Sequence, residues 1–204
     1  MKRIFSLLLS VIMVMSLFAA CGNAEDKKPE KDPTTPAVHE SSEEIFTKIW
    51  DKFTEDEQFP VTGGAPETYA EMIEIDENFM MPMAPAAYDM KYSESLPAYL
   101  YIPADQLGNL EEVAFAQHAM MINNFACGVL HVKEDAKGLA ESMVDVLKNN
   151  QWLCGTPEKL LIAVIDANHI LIGYGLEIAL NPVATHLVEV YPAAEIIANE
   201  AIAG

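Results

Sequence analysis

Apolar and polar positions along this chain follow two different periods, and each period predicts its own kind of element. Ile45, Phe46, Ile49, Trp50 and Phe53 recur at helical spacing, while Lys48, Asp51 and Lys52 fall off that stripe. Ser41 and Glu44 just ahead have the spacing of a capping box, so an amphipathic helix opens there. Its aromatic stripe is read as core packing, with a partner-binding helix as the second reading. Thr54 to Pro60 is acidic and breaks the pattern, Val61 to Pro66 reads as a loop, and Glu67 to Ile75 holds a short helix. Phe79 to Tyr101 mixes Pro82, Pro85 and Pro97 with Met80, Met81, Met83 and Met90, and reads as an irregular apolar segment lying over the core.

The second half is more regular. Glu112 to His118 and Phe125 to Val132 read as strands, with a turn at Asn123-Asn124. Asp135 can cap a helix to about Asn150, with Leu139, Met143, Val146 and Leu147 on one stripe. Leu160 to Ile165 and Ile170 to Ile172 are apolar at nearly every position, which predicts central strands covered on both faces. Asn181-Pro182 reads as a helix opening, followed by Val183, Leu187, Val190 and Tyr191 at helical spacing. Pro192 ends that helix and starts another to Ile202. The order β-β-α-β-β with short links gives two hairpins joined by a helix. The predicted class is therefore α+β, an antiparallel sheet with N-terminal and C-terminal helices covering it.

The N-terminus has a different pattern. Lys2 and Arg3 precede an uncharged run from Ile4 to Ala20, closed by Phe18-Ala19-Ala20-Cys21. Small residues directly before a cysteine resemble a bacterial lipoprotein signal, although Phe18 stands where leucine is usual. The resemblance implies removal of residues 1–20 and acylation of Cys21 with palmitate-type chains. The product would be lipid-anchored to the cell membrane on its extracytoplasmic face. A transmembrane helix is the rival reading, but the run falls short of the ~20 residues a span needs and no cationic patch follows it. Residues 21–41 are polar and rich in Lys, Glu, Pro and Thr, and read as a disordered tether. Residues 42–204 form the single α+β domain.

Charge excludes some partners. The formal net charge is −19, and removing residues 1–20 takes away two cations and no anion. A chain this acidic is not built for nucleic acid, which demands a basic patch, nor for anionic lipid beyond an anchor. The acids are spread along the chain, so a solvated surface is favoured over a divalent-cation surface. With Cys21 used by the lipid, Cys127 and Cys154 remain as an even pair that an exported protein can close into a disulfide. The favoured alternative is two small buried hydrophobes.

Met120-Met121-Ile122-Asn123, the strand ending in Leu130 to Asp135, the following helix, Trp152 and the closing hairpin resemble a small lipoprotein family of Gram-positive anaerobes. That family is a domain of unknown function. The resemblance covers roughly residues 96–200 and implies the ββαββ core and an envelope location, with no chemistry attached.

The search for chemistry is mostly negative. No nucleophile elbow, zincin, paired C-x-x-C or Walker loop is present, and Gly173-Tyr174-Gly175 has Ile178 in place of a third glycine. His39, His118, His131, His169 and His186 stand at spacings that no single helix or hairpin brings together, and Ser93, Ser95 and Ser142 have no local base. Met80, Met81 and Met83 could chelate Cu(I), and Glu74, Asp76 and Glu77 could attract Ca²⁺. Gap-filling and a solvated edge are the preferred readings. No cofactor or metal is expected. The expected function is a non-catalytic binding or accessory role in the cell envelope, toward an envelope protein, peptide or small ligand. An envelope hydrolase with a site assembled from residues distant in sequence is the alternative.

Overall fold

The computed structural model describes residues 40–153 and 155–202. The expected signal peptide, Cys21, almost all of the expected tether, His39 and Cys154 lie outside the described residues.

In chain order the elements are α1 (Ser42–Trp50), β1 (Val61–Gly63), α2 (Pro66–Ile75), β2 (Ala86–Ala87), α3 (Leu96–Tyr99), β3 (Leu110–His118), β4 (Phe125–Val132), α4 (Ala136–Lys148), β5 (Lys159–Val164), β6 (His169–Gly175), α5 (Glu177–Val190) and β7 (Glu195–Ala201). The class is α+β. The seven strands form one antiparallel sheet in the order β1-β3-β4-β6-β5-β7, with β2 also pairing β3. The two predicted hairpins are β3–β4 and β5–β6, joined by α4. They fuse because β4 pairs with β6, which seals β6 between two neighbours and explains its unbroken apolar run.

Alternation along each strand sends residues to two cores. On one face Val113, Phe115, Leu130, Ile162, Ile172 and Tyr174 pack with Leu139, Met143 and Leu147 of α4, and with Leu96, Leu100 and Ile102 from the irregular segment. On the other, Ala114, Ala116, Cys127, Val129, Leu161 and Leu171 meet Ile45, Phe46 and Ile49 of α1 and Val183 and Leu187 of α5. That second face is lined by small residues where the helices lie closest. A Cβ on Gly173 would sit 3.1 Å from Leu180 and 3.2 Å from Cys127.

Helix α1 opens as its sequence predicts. The Ser41 side chain accepts from Glu44 N, and the Glu44 carboxylate accepts from Ser41 N. Ser42 contacts Glu112, so the helix begins beside the start of β3. The loop after it reaches the far end of that strand, where Ala119 N donates to Pro60 O. Asp135 caps α4 as expected, from a left-handed backbone (φ 52°), and accepts from Gly138 N.

Three expectations are corrected. Helix α5 begins at Glu177, and Pro182 lies inside it rather than at its first position. The start is set by a tertiary contact: Glu158 Oε2, at the entry to β5, accepts from Glu177 N at 2.8 Å. The expected second C-terminal helix is strand β7. The outer edge of β5 requires hydrogen-bond partners, and α4 holds the strand down through Lys137–Glu195 (2.7 Å) and Lys148–Glu200 (2.8 Å). Only one C-terminal helix therefore covers the sheet. Within the irregular segment, Tyr88, Leu96 and Leu100 enter the core, but Met80, Met81 and Met83 are exposed.

Candidate ligand cleft

Three connections meet at the end of the sheet where β3 stops and β4 begins. Residues 54–60, leading from α1 to β1, form the first wall. Thr54 N and Oγ1 both donate to Glu57 Oε2, at 2.9 and 3.0 Å. The same oxygen lies 3.1 Å from His186 Nε2 on α5, while His186 Nδ1 lies 3.2 Å from Glu189 Oε2. Lys52 completes the chain with a 2.8 Å bond to Glu189. The imidazole therefore bridges two carboxylates and packs against Phe53 at 5.4 Å. Thr54 and then His186 hold Glu57 below its ordinary range, and Lys52 and then His186 do the same for Glu189. With both ring nitrogens used, His186 clamps the loop onto α5.

The second wall is the β3–β4 connection. His118 Nδ1 accepts from Met120 N (3.2 Å) and Met121 N (3.3 Å), which assigns the ring proton to Nε2. The Phe59 ring lies parallel to this imidazole, 6.3 Å away at 11°. Phe59 is set in turn by edge contacts with Phe125 (4.9 Å) and Trp50 (5.6 Å). The floor is the start of α5, with Leu176 tied to the second wall through Leu176 N and Asn124 O at 2.8 Å.

Between these walls lies a cleft of about 370 Å³. Phe59, Leu176, Ile178 and Pro182 supply its apolar surface, and Asp56, Glu57, Asn124 and Asn181 its polar rim. The lining contains no serine, threonine or cysteine. Beyond the Met120-Met121 ridge is a second depression of about 430 Å³. It lies over Tyr101, whose ring meets Trp152 (5.0 Å) and Tyr174 (5.6 Å). Asn123 Nδ2 donates to Leu153 O and Gly155 O, both at 2.6 Å, and pins the adjoining loop. Ile178 is 79% exposed, Met120 85% and Leu153 80%, so this end of the sheet shows water an apolar rim.

The residues singled out from sequence are distributed elsewhere, two histidines excepted. His118 and His186 reach this end of the molecule. His131 and His169 stack at 4.7 Å across β4 and β6 at the other end, beside Glu111 and Asp166. Burial pushes Asp166 up, but bonds from Asn168 N and from His169 outweigh it and hold the carboxyl low. Cys127 is a free, fully buried thiol whose ionisation burial opposes; its proposed disulfide partner lies outside the described residues. Ser142 donates to Leu139 O within its helix. Among the described residues no three His, Cys, Asp or Glu side chains could hold a metal ion together, and no helix is long and apolar enough to cross a membrane. Phe59, His118 and Glu57 were invisible as a set, because their partners come from α1, β3 and α5. The one local hint is an aromatic residue inside an otherwise acidic loop.

Comparison with protein-family models, with curated proteins and with solved structures finds no match.

Proposed function

We propose that the chain is a lipid-anchored, extracytoplasmic recognition protein of the cell envelope. Acylated Cys21 would tether it, and the cleft between residues 54–60 and α5 would seat its ligand. The observation that carries the recognition reading is how the cleft is built. It has apolar walls and a polar rim, while His118 in the lining and His186 behind Glu57 are engaged in holding the walls. His186 contacts carboxylates through both nitrogens, and His118 takes two backbone donors at Nδ1. Hydrolysis through a covalent Ser, Thr or Cys intermediate needs such a nucleophile beside a base, and the lining supplies no hydroxyl or thiol side chain. A concave, largely apolar site with a few convergent polar groups is the usual form of a small-ligand or side-chain pocket. The family resemblance over residues 96–200 supports an envelope location and stays a proposal.

A photo-reactive side chain at exposed Ile178, in cells making the full chain, tests the reading. Exposed Ile73 on α2 serves as the control position. A discrete adduct at 178 that is missing at 73 is the expected result. Equal labelling at both positions would remove the cleft as the recognition site.

A further inference from the structure

Resting on the cleft as the recognition site, we infer that its ligand is an amphiphilic cation: an apolar body carrying an ammonium group. Asp56 and Glu57 are in the lining, which contains no lysine or arginine. Two more carboxylates stand at the start of α5: Glu177, next along the chain to the lining residues Leu176 and Ile178, and Glu158, which accepts from Glu177 N. Of the nearby cations, Lys52 is paired with Glu189, while Lys159 bonds the neutral Asn181 Oδ1 at 2.5 Å and keeps its charge. Asp56, Glu57, Glu158 and Glu177 against the one unpaired lysine leave this part of the surface with an excess of negative charge, and a cleft with low-dielectric walls concentrates such a field.

Backbone chemistry points the same way. Ile178 and Pro182 both line the cleft. Pro182 has no N–H to give the carbonyl four residues earlier, so the helical ladder brings no donor to the Ile178 oxygen. An ammonium group offers three donors to such acceptors. The start of α5 would ordinarily favour an anion. Here Glu158 already accepts from Glu177 N, Glu177 adds its own charge to the first turn, and Ala179 N and Leu180 N donate to Leu176 O. Three of the N–H groups at the helix end are therefore already engaged, which weakens its preference for an anion. Phe59 offers an aromatic ring in the lining, and the face of such a ring attracts a cation.

Three probes of one shape separate charge from shape: phenethylammonium, 2-phenylethanol and phenylacetate, titrated into the full chain and followed by amide ¹H–¹⁵N shifts. Perturbations should centre on Phe59, Asn124 and Ile178. The ammonium should bind about five- to tenfold more tightly than the alcohol, with the acid weakest. Asp56→Asn, at an exposed position, should narrow that preference to about twofold, and added salt should narrow it further. Equal affinities with shifts still centred on the cleft would overturn the cationic ligand and leave the recognition site standing. Shifts that are absent or centred elsewhere would overturn both.

Discussion

Ile162 tests whether the sheet is as central as its burial implies. The residue is fully buried in β5, with Ile172 of β6 on one side and Ala198 of β7 on the other. Ile162→Ala removes three carbons, worth about 2.4 kcal/mol of transfer free energy at ~0.8 per buried carbon. Ala198 is too small to fill the gap, and Ile172 is fixed by its own pairing with β4 and β5. A residual void of roughly 50 Å³ adds about 1.2 kcal/mol. The expected loss is thus about 3.5 kcal/mol, or about 7–14 °C in Tm for a chain of this size. Urea denaturation followed by far-UV circular dichroism measures it, with Ile178→Ala as a matched control. That side chain stands in water, so its loss should cost no more than about 0.5 kcal/mol. A loss below about 1 kcal/mol at Ile162, or an equal loss at both sites, would refute the two-sided burial of β5.

Glu57 and Glu189 have folded pKa values below their ordinary 4.5, so the stability they contribute is present above pH 4.5 and is lost as the pH falls through the lowered folded values. Urea midpoints measured from pH 7 downward should therefore fall in acid, and Glu57→Gln should flatten that slope; an unchanged slope would mean the clamp does not couple to folding. Cys21→Ala should abolish fatty-acid labelling and leave an unprocessed precursor, and labelling that persists would remove the anchor. In Cys154→Ser protein, Cys127 should resist thiol reagents until denaturant is added, because burial opposes thiolate formation; rapid native labelling would contradict the packing of α5 over β4. Asn123→Ala should loosen residues 151–153 and raise their amide exchange without a large change in Tm, since it removes two hydrogen bonds from one loop.

Legibility in the sequence followed how local each determinant is. Helix α1, the β3–β4 hairpin, α4 and the β5–β6 hairpin all carry their own signals: a capping box, an Asn-Asn turn, an Asp cap and two continuous apolar runs. The C-terminus departs from its local signals because its controls are tertiary. Pro182 suggests a helix start to any local rule, yet Glu158 sets that start from another strand. Residues 193–201 are rich in Ala and Glu and favour a helix in isolation, but the unpaired edge of β5 and two lysines of α4 draw them into the sheet. The cleft was least legible. Its residues read as scattered because Glu57 meets His186, and Phe59 meets His118, only after α5 and β3 have packed against the loop.

The contact of Ser42 with Glu112 has a directional consequence. The described chain enters at the start of β3, whereas the cleft lies by His118, six residues along the strand and about 20 Å away at ~3.4 Å per residue. The described chain therefore enters at the opposite end of β3 from the mouth of the cleft, and a label joined just ahead of Ser42 would attach away from the ligand space.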